Sequence, residues 1–165
     1  MLSVTVRHKT MLSTTDQAAT YDDLTIYRAL SILHARLKSH PAFNRPESVK
    51  HFLRLQAQSL PTEVFAVMHL DAQNRLIDYE RLFHGTLTRT TVYPREVVKR
   101  ALAMNAAAVI LHHNHPSGVC DPSAEDIAIT RCLRAALALV EIDVLDHVIT
   151  SDAGAYSMAE RGLLS

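Results

Sequence analysis

The sequence predicts one α/β domain preceded by a short helical appendage, and three observations carry that reading. A continuous apolar run at residues 106–111 has the length of a strand covered on both faces. Stretches of helical period stand on either side of it, at 97–102 and 123–139. The 165 residues are 48% apolar and 21% charged, which is enough apolar material to close one core without staples.

Residues 1–20 carry Thr, Ser and Gln without a sustained apolar period and read as a mobile arm. From Asp22 the pattern changes. Leu24, Tyr27, Leu30, Leu33 and Leu37 recur every three to four residues, with Asp22 and Asp23 at the start and Arg36 and Lys38 near the end, as the helix dipole favours. His40-Pro41 stops this helix. A second follows Pro46, with Val49, Phe52, Leu53 and Leu55 on its apolar face, and Pro61 closes a helical appendage spanning 21–60. The domain proper is expected at 61–165. Residues 64–70 and 76–83 read as strands of a hairpin joined by a turn at 71–75. Pro94 takes the first turn of a helix that buries Val97, Val98, Ala101 and Leu102. The strand at 106–111, a His/Pro/Gly-rich loop at 112–122, the helix 123–139, a strand at 144–150 and a turn at Ala153-Gly154 complete the chain.

Composition excludes several functions. Seventeen basic and 17 acidic side chains leave no net charge, so no global excess exists to collect phosphates. No apolar run approaches the roughly 20 residues of a membrane-spanning helix, and the N-terminus lacks a secretory signal. Cys120 and Cys132 form neither a disulfide framework nor a CxxC site, which points to a reducing compartment and a cytoplasmic protein.

The informative stretch is His112-His113-Asn114-His115-Pro116-Ser117-Gly118, continuing through Pro122-Ser123-Ala124-Glu125-Asp126. Histidines at i and i+2 leaving the end of a buried strand can point to one spot if the chain turns there, and Pro116 and Gly118 favour such a turn. Imidazole is the commonest protein ligand for zinc, and Asp126 is available as a third ligand from the first turn of the next helix. Three protein ligands with an open position suit catalysis, whereas a structural zinc is closed by four. Taken singly the residues have bland readings. Ser123-x-x-Asp126 is also a helix capping pattern, and the histidines alone could be solvated. His112 would point to the side opposite His113, and Asp146-His147 could be support for a metal site or a paired strand histidine. Cys120 occupies a spacer position.

His113-x-His115, seven residues, then Ser123-x-x-Asp126 resembles the JAMM (MPN+) metalloprotease motif, and the surrounding text resembles the RadC-like branch of that family. The RadC-like segments are HNHPSG, the following PS-x-x-D, the upstream HGT and YPREVVKRAL, and LDHVI near the end. The resemblance implies a central mixed β-sheet flanked by helices, the cytidine-deaminase-like MPN/JAB fold. It implies one zinc ion per chain held by His113, His115 and Asp126, and hydrolysis of a peptide or isopeptide bond in a peptide or protein substrate. The family also uses an upstream glutamate, a place that Glu63 occupies here, with Glu80 and Glu96 as rivals. Zinc lowers the pKa of bound water from about 15.7 toward about 7. A nearby carboxylate then accepts the proton and returns it to the leaving amine. By the same analogy Ser123 would steady the oxyanion.

Two look-alikes fail. The letters HNH occupy consecutive positions rather than a hairpin and helix, and a cytidine deaminase needs P-C-x-x-C, for which Cys120 has no partner. A binding module is the reading from another class, because RadC-like proteins carry a label of DNA repair. Arg95, Lys99 and Arg100 with Arg131 and Arg134 would supply its basic face. An edge strand of the 64–83 hairpin could pair two chains.

Overall fold

The computed structural model describes residues 14–40, 46–58, 60–85 and 91–164. Among these described residues, four helices and five strands follow in the order α1 (Thr14–Ser39), α2 (Pro46–Ala57), β1 (Val64–Leu70), β2 (Leu76–His84), α3 (Pro94–Ala103), β3 (Ala108–Asn114), α4 (Ala124–Ala138), β4 (Asp143–Ser151) and β5 (Gly154–Ser157). The strands form one sheet in the order β2-β1-β3-β4-β5. Only the β3–β4 pair is parallel, joined by α4 as its crossover; the other neighbours are antiparallel. The expected mixed sheet flanked by helices is the architecture found.

Strand β3 lies at the centre, with β1 on one side and β4 on the other. Its side chains alternate between two cores, because successive residues of a strand point to opposite faces. Ala108 and Ile110 pack with Met68, Leu70, Leu37, Phe52 and Leu53 under α1 and α2. Val109 and Leu111 pack with Phe65, Val67, Val97, Leu133 and Leu137 under α3 and α4. The result is a three-layer α/β/α sandwich.

Several boundaries depart from the sequence reading. Helix α1 begins at Thr14, so residues 14–20 of the expected arm are helical; residues 1–13 lie outside the described part. Leu30, Leu33 and Leu37 of α1 turn to the core while Tyr21, Leu24 and Tyr27 stay exposed. Helix α2 is an integral layer of the sandwich, since Val49, Phe52 and Leu53 are buried in the core beneath the sheet. Strand β3 runs through Asn114, so His112, His113 and Asn114 belong to a strand rather than to the loop expected at 112–122. Pairing with both neighbours satisfies their backbone: Phe65 stands opposite His113 and Thr150 beside Asn114. Beyond the turn at Ala153-Gly154 the chain returns as β5, a four-residue strand whose length gives almost no periodic signal.

Among the described residues, His69 and Ser151 carry buried side-chain polar atoms without a hydrogen bond. His69 on β1 is fully buried with neither ring nitrogen bonded, and the nearest charge, Glu80 Oε2, stands 3.6 Å from Nε2. Burial lowers its pKa below the ordinary 6.5; Glu80 and Asp78 pull it up and Arg100 pushes it down. Replacing the ring with an aliphatic side chain removes an unsatisfied group, so His69→Leu is expected to raise the unfolding free energy by about 1 kcal/mol at neutral pH. Below 6.5 the unfolded chain takes up a proton that the fold resists, so the contribution of His69 is complete above that value and drains away as pH falls. Urea denaturation at about pH 7.5 and about pH 5.5 should therefore show a wider gap between variant and wild type at the lower pH. A gap that does not grow would refute this account of His69.

Candidate metal centre

The end of β3 and the start of α4 build the site. His113 points to the α4 face of the sheet, and His115 follows where the chain leaves the strand, its N–H bonded to the Thr150 carbonyl at 2.8 Å. The chain then turns through Gly118, whose φ of 90° lies in the left-handed region that a side chain disfavours. Ser123 caps α4. Its side chain accepts from the Asp126 amide at 3.1 Å, and its own amide donates to Asp126 Oδ2 at 2.8 Å, a complete capping box. The Ser123 hydroxyl gives its proton to the same Oδ2 at 2.6 Å. That leaves Asp126 Oδ1 turned toward the histidines.

Ligand atoms of His113, His115 and Asp126 all lie within 4.8 Å of one another. His113 Nε2 stands 2.8 Å from His115 Nε2 and 3.2 Å from Asp126 Oδ1, and His115 Nε2 stands 3.6 Å from Asp126 Oδ2. Ligands about 2.0–2.1 Å from a tetrahedral zinc are separated from each other by about 3.3–3.4 Å, so these spacings bracket that geometry. The proton positions point the same way. His115 Nδ1 donates to the Val119 carbonyl at 2.8 Å, which leaves Nε2 bare in the neutral ring. Two imidazole nitrogens and a carboxylate oxygen converge at these distances, so the donor set fits a metal. The Asp126 carboxylate makes this spot attractive to positive charge. His115 is held above its ordinary pKa by the Asp126 carboxylate, against burial, with the Val119 carbonyl and Glu63 adding to the effect. Burial would raise Asp126, but the two imidazoles and Ser123 hold its carboxyl well below the usual range.

Glu63 precedes β1. With Phe65 opposite His113 in an antiparallel pair, two further residues bring Glu63 level with His115. Asn114 secures this approach, accepting from Val64 N–H at 2.8 Å and donating to the Thr62 carbonyl at 3.1 Å, one bond on each side of Glu63. The rival glutamates are engaged elsewhere. Glu80 forms a forked pair with Arg100, Oε1–Nη2 2.7 Å and Oε2–Nε 2.8 Å, and Glu96 pairs with Lys99 at 2.9 Å.

His112 points away to the α2 face, as its alternation requires, between Tyr79 Oη and Thr150 Oγ1, each at 2.9 Å. Burial pushes its pKa down to about 3 and that of Tyr79 up to about 12. Asp146 is a brace: its carboxylate accepts from Ser157 Oγ at 2.6 Å and from the Ala159 amide at 2.9 Å, tying β4 to the chain after β5. His147 bonds His113 directly, Nε2 to Nδ1 at 2.8 Å. The sequence reading left His147 undecided and passed over Asn114 and Thr130, whose partners lie in other elements. Cys120 is a free cysteine in the loop that carries His115.

A cleft of about 880 Å³ opens beside His115. Leu33, Leu55, Leu60, Arg54 and Asp152 are among the residues that line it. Of the basic residues expected to form a face on α3 and α4, Arg95 and Lys99 pair with Glu96 and Arg100 with Glu80 at the surface, and Arg134 bonds the Leu164 carbonyl. Among the described residues no helix is long and apolar enough to cross a membrane.

Removing the Asn114 clamp leaves a buried Val64 amide without its acceptor. Asn114→Ala is expected to lower the unfolding free energy by about 1–3 kcal/mol. Hydrogen exchange of Val64 should accelerate while Met68, in the middle of β1, stays protected. An unchanged Val64 rate would show that the clamp does not form.

Comparison with known proteins places this geometry. A model described as the RadC-like JAB domain matches residues 43–163. A UPF0758 protein of Methylibium petroleiphilum is 58% identical over 132 residues, 80% of this chain and 60% of that protein. Similar proteins of Leptothrix cholodnii and Variovorax paradoxus are 58% identical over 130 residues and 60% over 129, covering 79% and 78% of this chain and 59% and 57% of theirs. The chain thus spans about three fifths of the length of these relatives. With the family match beginning ahead of α2 and ending past β5, the chain belongs to the RadC-like JAB domain family.

Proposed function

We propose that this RadC-like domain is a zinc-dependent amide hydrolase acting on a peptide or isopeptide bond. The observation that carries the reading is the meeting of the Nε2 atoms of His113 and His115, 2.8 Å apart, with one oxygen of Asp126. His113, His115 and Asp126 would hold the ion, which leaves an open position for a water or substrate oxygen. When bound, zinc supplies a Lewis acid and makes water a competent nucleophile near neutral pH.

The chain's own residues then have defined tasks. Glu63, level with His115 at the head of β1, takes the proton from the attacking water and returns it to the departing amine. Its carboxylate acts electrostatically on His115, which supports that placement. Ser123 holds Asp126 through the capping box, so that Oδ1 faces the histidines. A part for Ser123 in steadying the oxyanion requires its hydroxyl to turn out of that box, since its one proton is given to Asp126. The cleft beside His115 offers apolar walls and a cationic residue for a substrate chain.

Metal analysis tests the reading. The purified protein is expected to carry about one zinc per chain, retained in Glu63→Ala and lost in His115→Ala. With a pool of quenched fluorogenic peptides, Glu63→Gln should lower the hydrolysis rate by about 10²–10⁴ while keeping the metal. A wild-type protein that holds no metal after zinc is supplied and excess removed would overturn the proposal.

A further inference from the structure

The hydrogen bonds behind the metal centre close a ring. Thr130 lies one helical turn beyond Asp126 on α4 and is buried, as are His147 and His113. The Thr130 hydroxyl stands 2.5 Å from the Asp126 backbone carbonyl and 2.6 Å from His147 Nδ1. A carbonyl can only accept, so the single hydroxyl proton goes to Asp126. The contact with His147 must then run the other way, with Nδ1–H donating to the Thr130 oxygen. A neutral ring protonated on Nδ1 has a bare Nε2, and this atom faces His113 Nδ1 at 2.8 Å. His113 therefore carries its proton on Nδ1 and presents a bare Nε2 to His115 and Asp126.

We propose that His147 and Thr130 are positioning residues that lock His113 into the one tautomer able to ligate a metal. The inference rests on the metal-centre reading above. The helix that supplies Asp126 thereby also dictates, through β4, the proton position on the histidine of β3. Phe65 holds the two rings in place, stacked on His113 at 6.3 Å and edge-on to His147 at 5.6 Å between centroids. A histidine in this place does what an orienting carboxylate does behind many metal-bound imidazoles, with one difference. A carboxylate accepts whatever its environment, whereas His147 accepts at Nε2 only while Thr130 takes the proton of Nδ1. Loss of the threonine oxygen allows the opposite tautomer, in which His147 Nε2–H donates to His113 Nδ1 and the proton of His113 moves onto its metal-binding nitrogen.

Zinc affinity of the full chain, measured by competition with a chromophoric chelator, reads this link. His147→Phe keeps an apolar ring but no acceptor and should weaken zinc binding by about 10–100-fold. His147→Gln restores a carbonyl acceptor and should recover most of that loss. Thr130→Val should weaken binding in the same direction, and Thr130→Ser should bind like wild type. Long-range nitrogen–proton NMR of the metal-free protein should show the Nδ1–H tautomer for His113 and His147 in wild type and its erosion in Thr130→Val. Thermal midpoints of the metal-free variants separate positioning from folding. Should His147→Phe fail to fold, the Thr130→Val and Thr130→Ser pair carries the same comparison. Folded variants that bind zinc as tightly as wild type would overturn the relay and leave the hydrolase reading standing. A wild type without zinc affinity would overturn both.

Discussion

Four consecutive polar side chains, His112 to His115, leave the core at the end of the central strand, and much of the upper part of the molecule follows from that. A buried polar group without a partner costs free energy, so each of the four must be answered by a neighbouring element. Alternation sends them in opposite directions. His112 and Asn114 are met on the α2 side by Tyr79, Thr150 and the backbone ahead of β1. His113 is met on the α4 side by His147, and His115 by the Val119 carbonyl. Satisfying these groups fixes the start of β1 and the end of β4 against β3. It thereby brings Glu63 to the level of His115.

The start of α4 shows how a structural device and a chemical one share residues. The capping box uses Oδ2 of Asp126 and both polar groups of Ser123, which secures the helix end and accords with the favourable place of an acid near a helix N-terminus. Because a carboxylate has two oxygens, this leaves Oδ1 for the imidazoles. The bland and the chemical readings of Ser-x-x-Asp are therefore compatible in one geometry. Stability supplied by the cap is also orientation supplied to the ligand.

Membership in the RadC-like JAB family gives the architecture a context but not a substrate, since the matched relatives carry only UPF0758 names. What this chain adds is a local arrangement. Helix α2 is part of the sandwich and forms one wall of the cleft at His115, with Leu55 and Arg54 facing in. The site is thus bordered by both helical layers, α4 supplying the carboxylate of the His113, His115 and Asp126 cluster and α2 a surface beside it.

Most of the elements and the spacing of the three donors can be read from the order of residues alone. Apolar periodicity located α2, β1, α3, α4 and β4 because each buries one face or both, and burial writes its period into the chain. His113, His115 and Asp126 were legible because the distances that unite them are short in sequence: two residues along a strand end, and eleven across one turn into a helix. Glu63 came from a resemblance rather than a period. The tertiary structure alone decided the rest. Residues 112–114 join β3 because neighbouring strands satisfy their backbone, which no local preference of His-His-Asn announces. Asn114 reaches Val64 across 50 residues and His147 reaches His113 across 34, through sheet register and not through spacing. A hydrogen bond between distant segments leaves no period in either one, so only the folded chain could show which histidine orients which.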